Sequence, residues 1–107
     1  MRQLNEKALN QVTDTSESII KTDFHMACSI QVVSTGLTGA VKLMFSNDEQ
    51  ASTPTNFSDI SGATASVSGA GVFSIPKTEI CYNFIKVVFT KSGGAGSVTA
   101  NYHSYGF

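Results

Sequence analysis

The feature that most restricts the fold of this chain is a period of two. In FHMACSIQV, Phe24, Met26, Cys28, Ile30 and Val32 share one face, while His25, Ala27, Ser29 and Gln31 share the other. Successive strand side chains point to opposite faces, so this alternation predicts a half-buried strand. It returns in VKLMFSN, where Val41, Leu43 and Phe45 alternate with Lys42, Met44 and Ser46. EICYNFIKVVFTK is the run densest in β-branched and aromatic residues, and Ile85, Val87 and Phe89 are expected to point inward together.

Turn signals separate these runs. STGLTGA carries two glycines, SGGAGS is a glycine-rich turn, and VTANYHSYGF reads as a last strand. NFSDI offers a short strand, and ATASVSGAGVFSIP two more around Gly69 to Gly71, where small residues permit the positive φ of a hairpin turn; Pro76 closes that stretch. About seven short strands at this spacing predict an all-β chain, a single antiparallel β-sandwich. Jelly-roll and immunoglobulin-like topologies satisfy the same alternation, and both remain open.

The first twenty-two residues differ. They hold Arg2, Glu6, Lys7, Asp14, Glu17 and Lys21, six of the chain's fifteen charged side chains, and no glycine. Leu4, Ala8 and Leu9 have a weak helical spacing over a segment too short to be a stable helix alone. Residues 1–22 are therefore expected to be an N-terminal arm, either a loose terminus or a segment that docks on a neighbour, and residues 23–107 the sandwich domain.

Charge excludes some partners. Seven Lys and Arg stand against eight Asp and Glu, and no window gathers the basic residues into a stripe for phosphates, so nucleic acid is not expected. No apolar run reaches the length of a membrane helix, and MRQLNEKALN lacks the apolar centre of a signal peptide, which predicts a chain made in a cytoplasm without membrane insertion. Cys28 and Cys81 both fall in apolar runs and are expected as buried free thiols, with a disulfide left open. There is no CxxC, and His25 and His103 stand apart from any cysteine pair, so no metal is expected.

Reactive chemistry has little to draw on. The two histidines alternate with apolar faces and are expected at the surface, without the nucleophile and third group that a triad needs. In FSNDEQASTPTNFSDISG, Asn47, Asp48, Glu49 and Asp59 suggest a calcium loop, or a carboxylate pair from Asp48 and Asp59. The calcium-loop spacing and its glycine are missing. The better reading is a turn, since Asn and Asp side chains bond their own backbone, followed by a crossover through Pro54. Phe57 and Ile60 are then expected to re-enter the core, and the sequon Asn56-Phe57-Ser58 carries little meaning without a secretion signal. No catalytic residue, cofactor or metal ligand is assigned.

Several of these segments together resemble small bacteriophage virion proteins: Ser29-Ile30-Gln31-Val32-Val33, Thr38 to Leu43, Ser46-Asn47-Asp48, Thr53-Pro54-Thr55-Asn56-Phe57 and Asp59-Ile60. Val67 to Gly71, Tyr82 to Thr90 and Ser97 to Ala100 fit the same pattern, with Phe57 standing where that family often has Trp. The resemblance implies a non-enzymatic structural protein of a phage particle that packs against itself and other virion proteins, the arm as docking segment. Capsid decoration, spike or vertex, and tail attachment are all open to it. The SND turn also looks like a hairpin of discoidin-type binding modules, which implies an alternative: a carbohydrate-binding module for host recognition. Its aromatic platforms would come from Tyr82, Tyr102 and Tyr105, with Phe107 beside them.

Overall fold

The computed structural model describes residues 2–22 and 25–106. Eight strands follow one another: β1 (Arg2–Val12), β2 (Ser16–Lys21), β3 (His25–Ser34), β4 (Leu37–Ser46), β5 (Ser58–Ser68), β6 (Gly71–Glu79), β7 (Phe84–Gly94) and β8 (Val98–Gly106). They form two four-stranded antiparallel sheets, β1-β8-β3-β6 and β2-β7-β4-β5, packed as a β-sandwich. No helix occurs among the described residues.

The strand order is nested. β1 pairs with β8, β2 with β7, β3 with β6 and β4 with β5, so the chain behaves as one long hairpin folded across itself. Only β4 and β5 are neighbours both in sequence and in a sheet; every other connection switches sheets. The turn at Gly69 (φ 76°) is therefore a crossover between the sheets and not the hairpin its glycines suggest.

The alternation holds where it is strongest. Cys28, Ile30 and Val32 of β3, Val41 and Leu43 of β4, and Ile85, Val87 and Phe89 of β7 are all buried between the sheets. Met26 is a correction: the pairing of β3 with β8 slips between His25 and Ala27, and Met26 is left 47% exposed. Phe24 and the side chain of His25 lie outside the described residues.

A larger correction concerns residues 1–22. Apart from Met1, which lies outside the described residues, this segment is no arm: β1 and β2 are the edge strands of the two sheets, and Ala8, Leu9 and Ile20 belong to the core. Pairing of β1 with β8 shifts register between Lys7 and Leu9, which lets two consecutive residues, Ala8 and Leu9, both bury. That local break imitates the helical spacing of the bare sequence. The charges fit too, because an edge strand keeps one flank in water.

Two further boundaries move. The last three residues of NFSDI and all of ATASVS are one strand, β5, whose pairing with β4 shifts around Gly62 (φ 77°). Pro76 lies inside β6, where an edge strand tolerates a residue that cannot donate, beside the register shift opposite Cys28 and Ile30.

Candidate functional site

Of the three tyrosines expected as sugar platforms, the structure removes one and joins two. Tyr102 is inward-facing on β8 and 1% exposed, so its ring fills the core and no ligand can stack on it. Its hydroxyl is buried without a hydrogen-bond partner of normal geometry, although Cys28 lies beside it. Burial pushes the phenol well above its ordinary range, and it raises the Cys28 thiol to about 11 against the weaker downward pull of Tyr102. Cys28 is accordingly an inert core thiol.

Tyr82 sits on the crossover between β6 and β7, which the sequence alone reads as continuous strand. That crossover is pinned from two sides. Thr22, buried at the end of β2, donates through Oγ1 to the Tyr82 carbonyl and through its backbone N–H to the Asn83 carbonyl at 3.1 Å. From the other side Asn83 donates its backbone N–H to the Ser46 carbonyl (3.1 Å) and its Nδ2 to the carbonyls of Asn47 (3.2 Å) and Asp48 (2.9 Å). The Tyr82 ring stacks on Phe45 with centroids 4.1 Å apart.

The Asn47–Asp48 segment is thus a buttress. The Asp48 carboxylate accepts from the backbone N–H of Thr55 (2.8 Å) and Asn56 (3.0 Å) and from Asn56 Nδ2, closing the loop between β4 and β5. These donors favour the charged form and hold its pKa down at about 2. Among the described residues, no group of three His, Cys, Asp or Glu side chains is placed to hold a metal ion. Phe57 is half-buried and turns outward, its ring 4.1 Å under the Lys86 ammonium, while Ile60 packs on the core.

Tyr105, half-buried on β8, meets Tyr82 in a cleft of about 540 Å³ that Met26, Ile80, Cys81 and Glu79 also line. Both cysteines are free thiols, and Cys81 corrects the expectation of burial: it lies on the crossover, exposed to solvent. Phe107 lies outside the described residues. The sequence signal that marks Met26 and Cys81 as cleft residues is absent, since both read as core in an alternating pattern.

The other exposed apolar groups are a pair on the outer face of β1-β8-β3-β6 and one residue of β2. Val72 of β6 is 61% exposed, beside its register partner Val33, and Ile19 is exposed on β2.

No family model matches the chain, and no curated protein matches it in sequence. In fold it is similar to the SPBc2 prophage-derived protein YomS, with a TM-score of 0.63 and 11% identity, over 96% of this chain and 92% of that one. It is also similar to PirA, with a TM-score of 0.55 and 7% identity, over 96% and 93% of the two chains. Chitosan-binding module 1 of a chitosanase/glucanase from Paenibacillus sp. IK-5 gives 0.48 at 13% identity, over 95% and 76%; at that score it bears no weight.

Proposed function

We propose that the chain is a non-enzymatic structural subunit of a bacteriophage particle, made in the host cytoplasm and acting through packing against copies of itself and other virion proteins. The observation that carries the reading is the match of fold along nearly the full length of both chains to a prophage-derived protein. The nested order of eight strands in two sheets supports a jelly roll, an architecture common in viral capsid domains. The virion-like segments Ser46-Asn47-Asp48 and Thr53 to Phe57 belong to the clamp that joins β4 to β5 and steadies Tyr82, which gives them a structural purpose.

Assembly would use the sheet edges. With residues 2–12 and 16–21 built into the sandwich as β1 and β2, that segment does not serve as the arm, and contact would fall to the edge strands β1, β2, β5 and β6, on which Val72 and Ile19 are exposed. Mass spectrometry of particles purified from the phage or induced prophage that encodes the chain tests this. The protein is expected at a regular copy number per particle; purified particles without it would overturn the reading.

Carbohydrate binding is the second reading. It is favoured by the juxtaposition of Tyr82 and Tyr105 in one cleft, and it loses Tyr102.

A further inference from the structure

We infer that the outer face of the β1-β8-β3-β6 sheet is a binding groove for a neutral, linear polysaccharide. The inference deepens the carbohydrate reading and is independent of whether the chain is a particle subunit.

Register sets two polar rows across this face. Asn5, His103 and Ser29 stand side by side on β1, β8 and β3; one step along, Lys7, Asn101 and Gln31 do the same, with Ser74 of β6 beyond them. Together they line a trough of about 710 Å³. His103 Nδ1 bonds to Asn5 Oδ1 across β8 and β1, which leaves the far ring nitrogen of His103 and Nδ2 of Asn5 facing outward as polar groups. Among the described residues no side-chain hydrogen bond or ion pair engages Lys7, Ser29, Gln31, Ser74 or Asn101. Lys7 is the single full charge that register places in the two rows, since Glu6 pairs with inward-facing Tyr102 and falls on the other side of β1.

The trough continues. Ser29 and His103 also line a small hollow of about 150 Å³, and that hollow shares Ala27 and Tyr105 with the cleft that holds Tyr82. The three depressions therefore follow the outward residues of β8, Asn101, His103 and Tyr105, a run of about 13 Å at strand rise, before reaching Tyr82. That is longer than one sugar ring. Amides and hydroxyls that each offer a donor and an acceptor match vicinal hydroxyls, and a tyrosine ring along the path matches the apolar face of a pyranose. A nucleic acid or anionic polymer would need several cations where the rows offer Lys7 alone, and an apolar protein segment would leave the two polar rows unpaired.

The test is affinity electrophoresis of the full chain in native gels containing hydroxyethylcellulose, galactomannan, arabinoxylan or dextran, with hyaluronan as the anionic comparison. At least one neutral polymer is expected to retard the protein, with binding weakened about tenfold by Asn101→Ala and by Gln31→Ala and unchanged by Lys42→Ala on the opposite sheet. Tyr105→Ala should weaken it as well. If that variant fails to fold, the two amide variants decide, because their side chains support nothing else. Retardation by none of the neutral polymers overturns the inference, as does retardation by hyaluronan alone or binding that survives both amide substitutions. Protection of this face from hydrogen exchange by self-association, without sugar, also overturns it.

Discussion

On the outer face of the β2-β7-β4-β5 sheet, charges are matched within the protein. Lys42 pairs with Asp59 at 3.1 Å, and Lys86 pairs with Glu17 at 3.0 Å while lying over Phe57. On the outer face of the other sheet, Lys7, Gln31 and Asn101 engage no such partners, and the surface is hollowed into connected depressions. Both faces belong to the same sandwich and flank the same core. A face whose polar groups satisfy one another contributes a little to stability; a face whose donors and acceptors bond only water keeps them free to exchange for an outside partner.

The comparison presupposes that both sheets end in strands drawn from the N-terminus, and the largest effect tests this. Deleting residues 2–21 removes an edge strand from each sheet together with Leu9 and Ile20, and circular dichroism should show loss of the cooperative unfolding transition. A truncated chain that melts like the full one would restore the arm. A single cut is milder: Leu9→Ala, at a side chain 3% exposed, should cost about 2–4 kcal/mol in a denaturant titration.

Beneath the hollowed face, Tyr102 gives a prediction without a loss of stability. Tyr102→Phe removes a buried hydroxyl that has Cys28 and Ser104 beside it but no hydrogen bond of normal geometry, and should leave stability unchanged or raised by up to about 1 kcal/mol, read from Tm. A fall of that size would mean that the hydroxyl is bonded in solution and that the packing under the trough differs.

The two faces separate more finely by their surface substitutions. Lys42→Ala should lower stability by no more than about 0.5 kcal/mol, since its ion pair is exposed. Gln31→Ala should leave the melting curve where it was. An equal loss from both would erase the distinction, because the hollowed face would then be structural as well.

The smallest effect is local and depends on pH. Asp48 titrates at about 2 in the folded chain against an ordinary 3.8, so its clamp is fully present above the ordinary value and is lost as pH falls through the folded one. Protection of the Thr55 and Asn56 amides, taken relative to their intrinsic exchange rates at each pH, should therefore be lost between pH 4 and pH 2, ahead of the core amides. Protection that stays constant across that window would show that the carboxylate does not hold the loop.

Legibility in the sequence follows burial. Strands β3, β4 and β7 lie inside their sheets, so the middle of each buries a run of apolar residues on one face and the alternation shows directly in Ile30, Val41 and Val87. Edge strands write a fainter pattern. In β1 the exposed flank admits Glu6 and Lys7, and the register shift before Leu9 breaks the alternation where it would have been most informative. The candidate site was legible in part: along β8 apolar Val98, Ala100 and Tyr102 alternate with polar Thr99, Asn101 and His103, a phase that puts Tyr102 inside and Tyr105 outside. The polar rows were hidden for a different reason. Asn5, Asn101 and Gln31 are far apart in the chain, and only the nested pairing of β1, β8 and β3 sets them side by side.

A density map of the purified particle tests the central claim most directly. The account predicts an eight-stranded sandwich at a regular position in the particle, held by its sheet edges, with the face that carries Asn101 and Gln31 open to solvent. A particle map without such a sandwich, or one in which that face is buried against the shell, would contradict it.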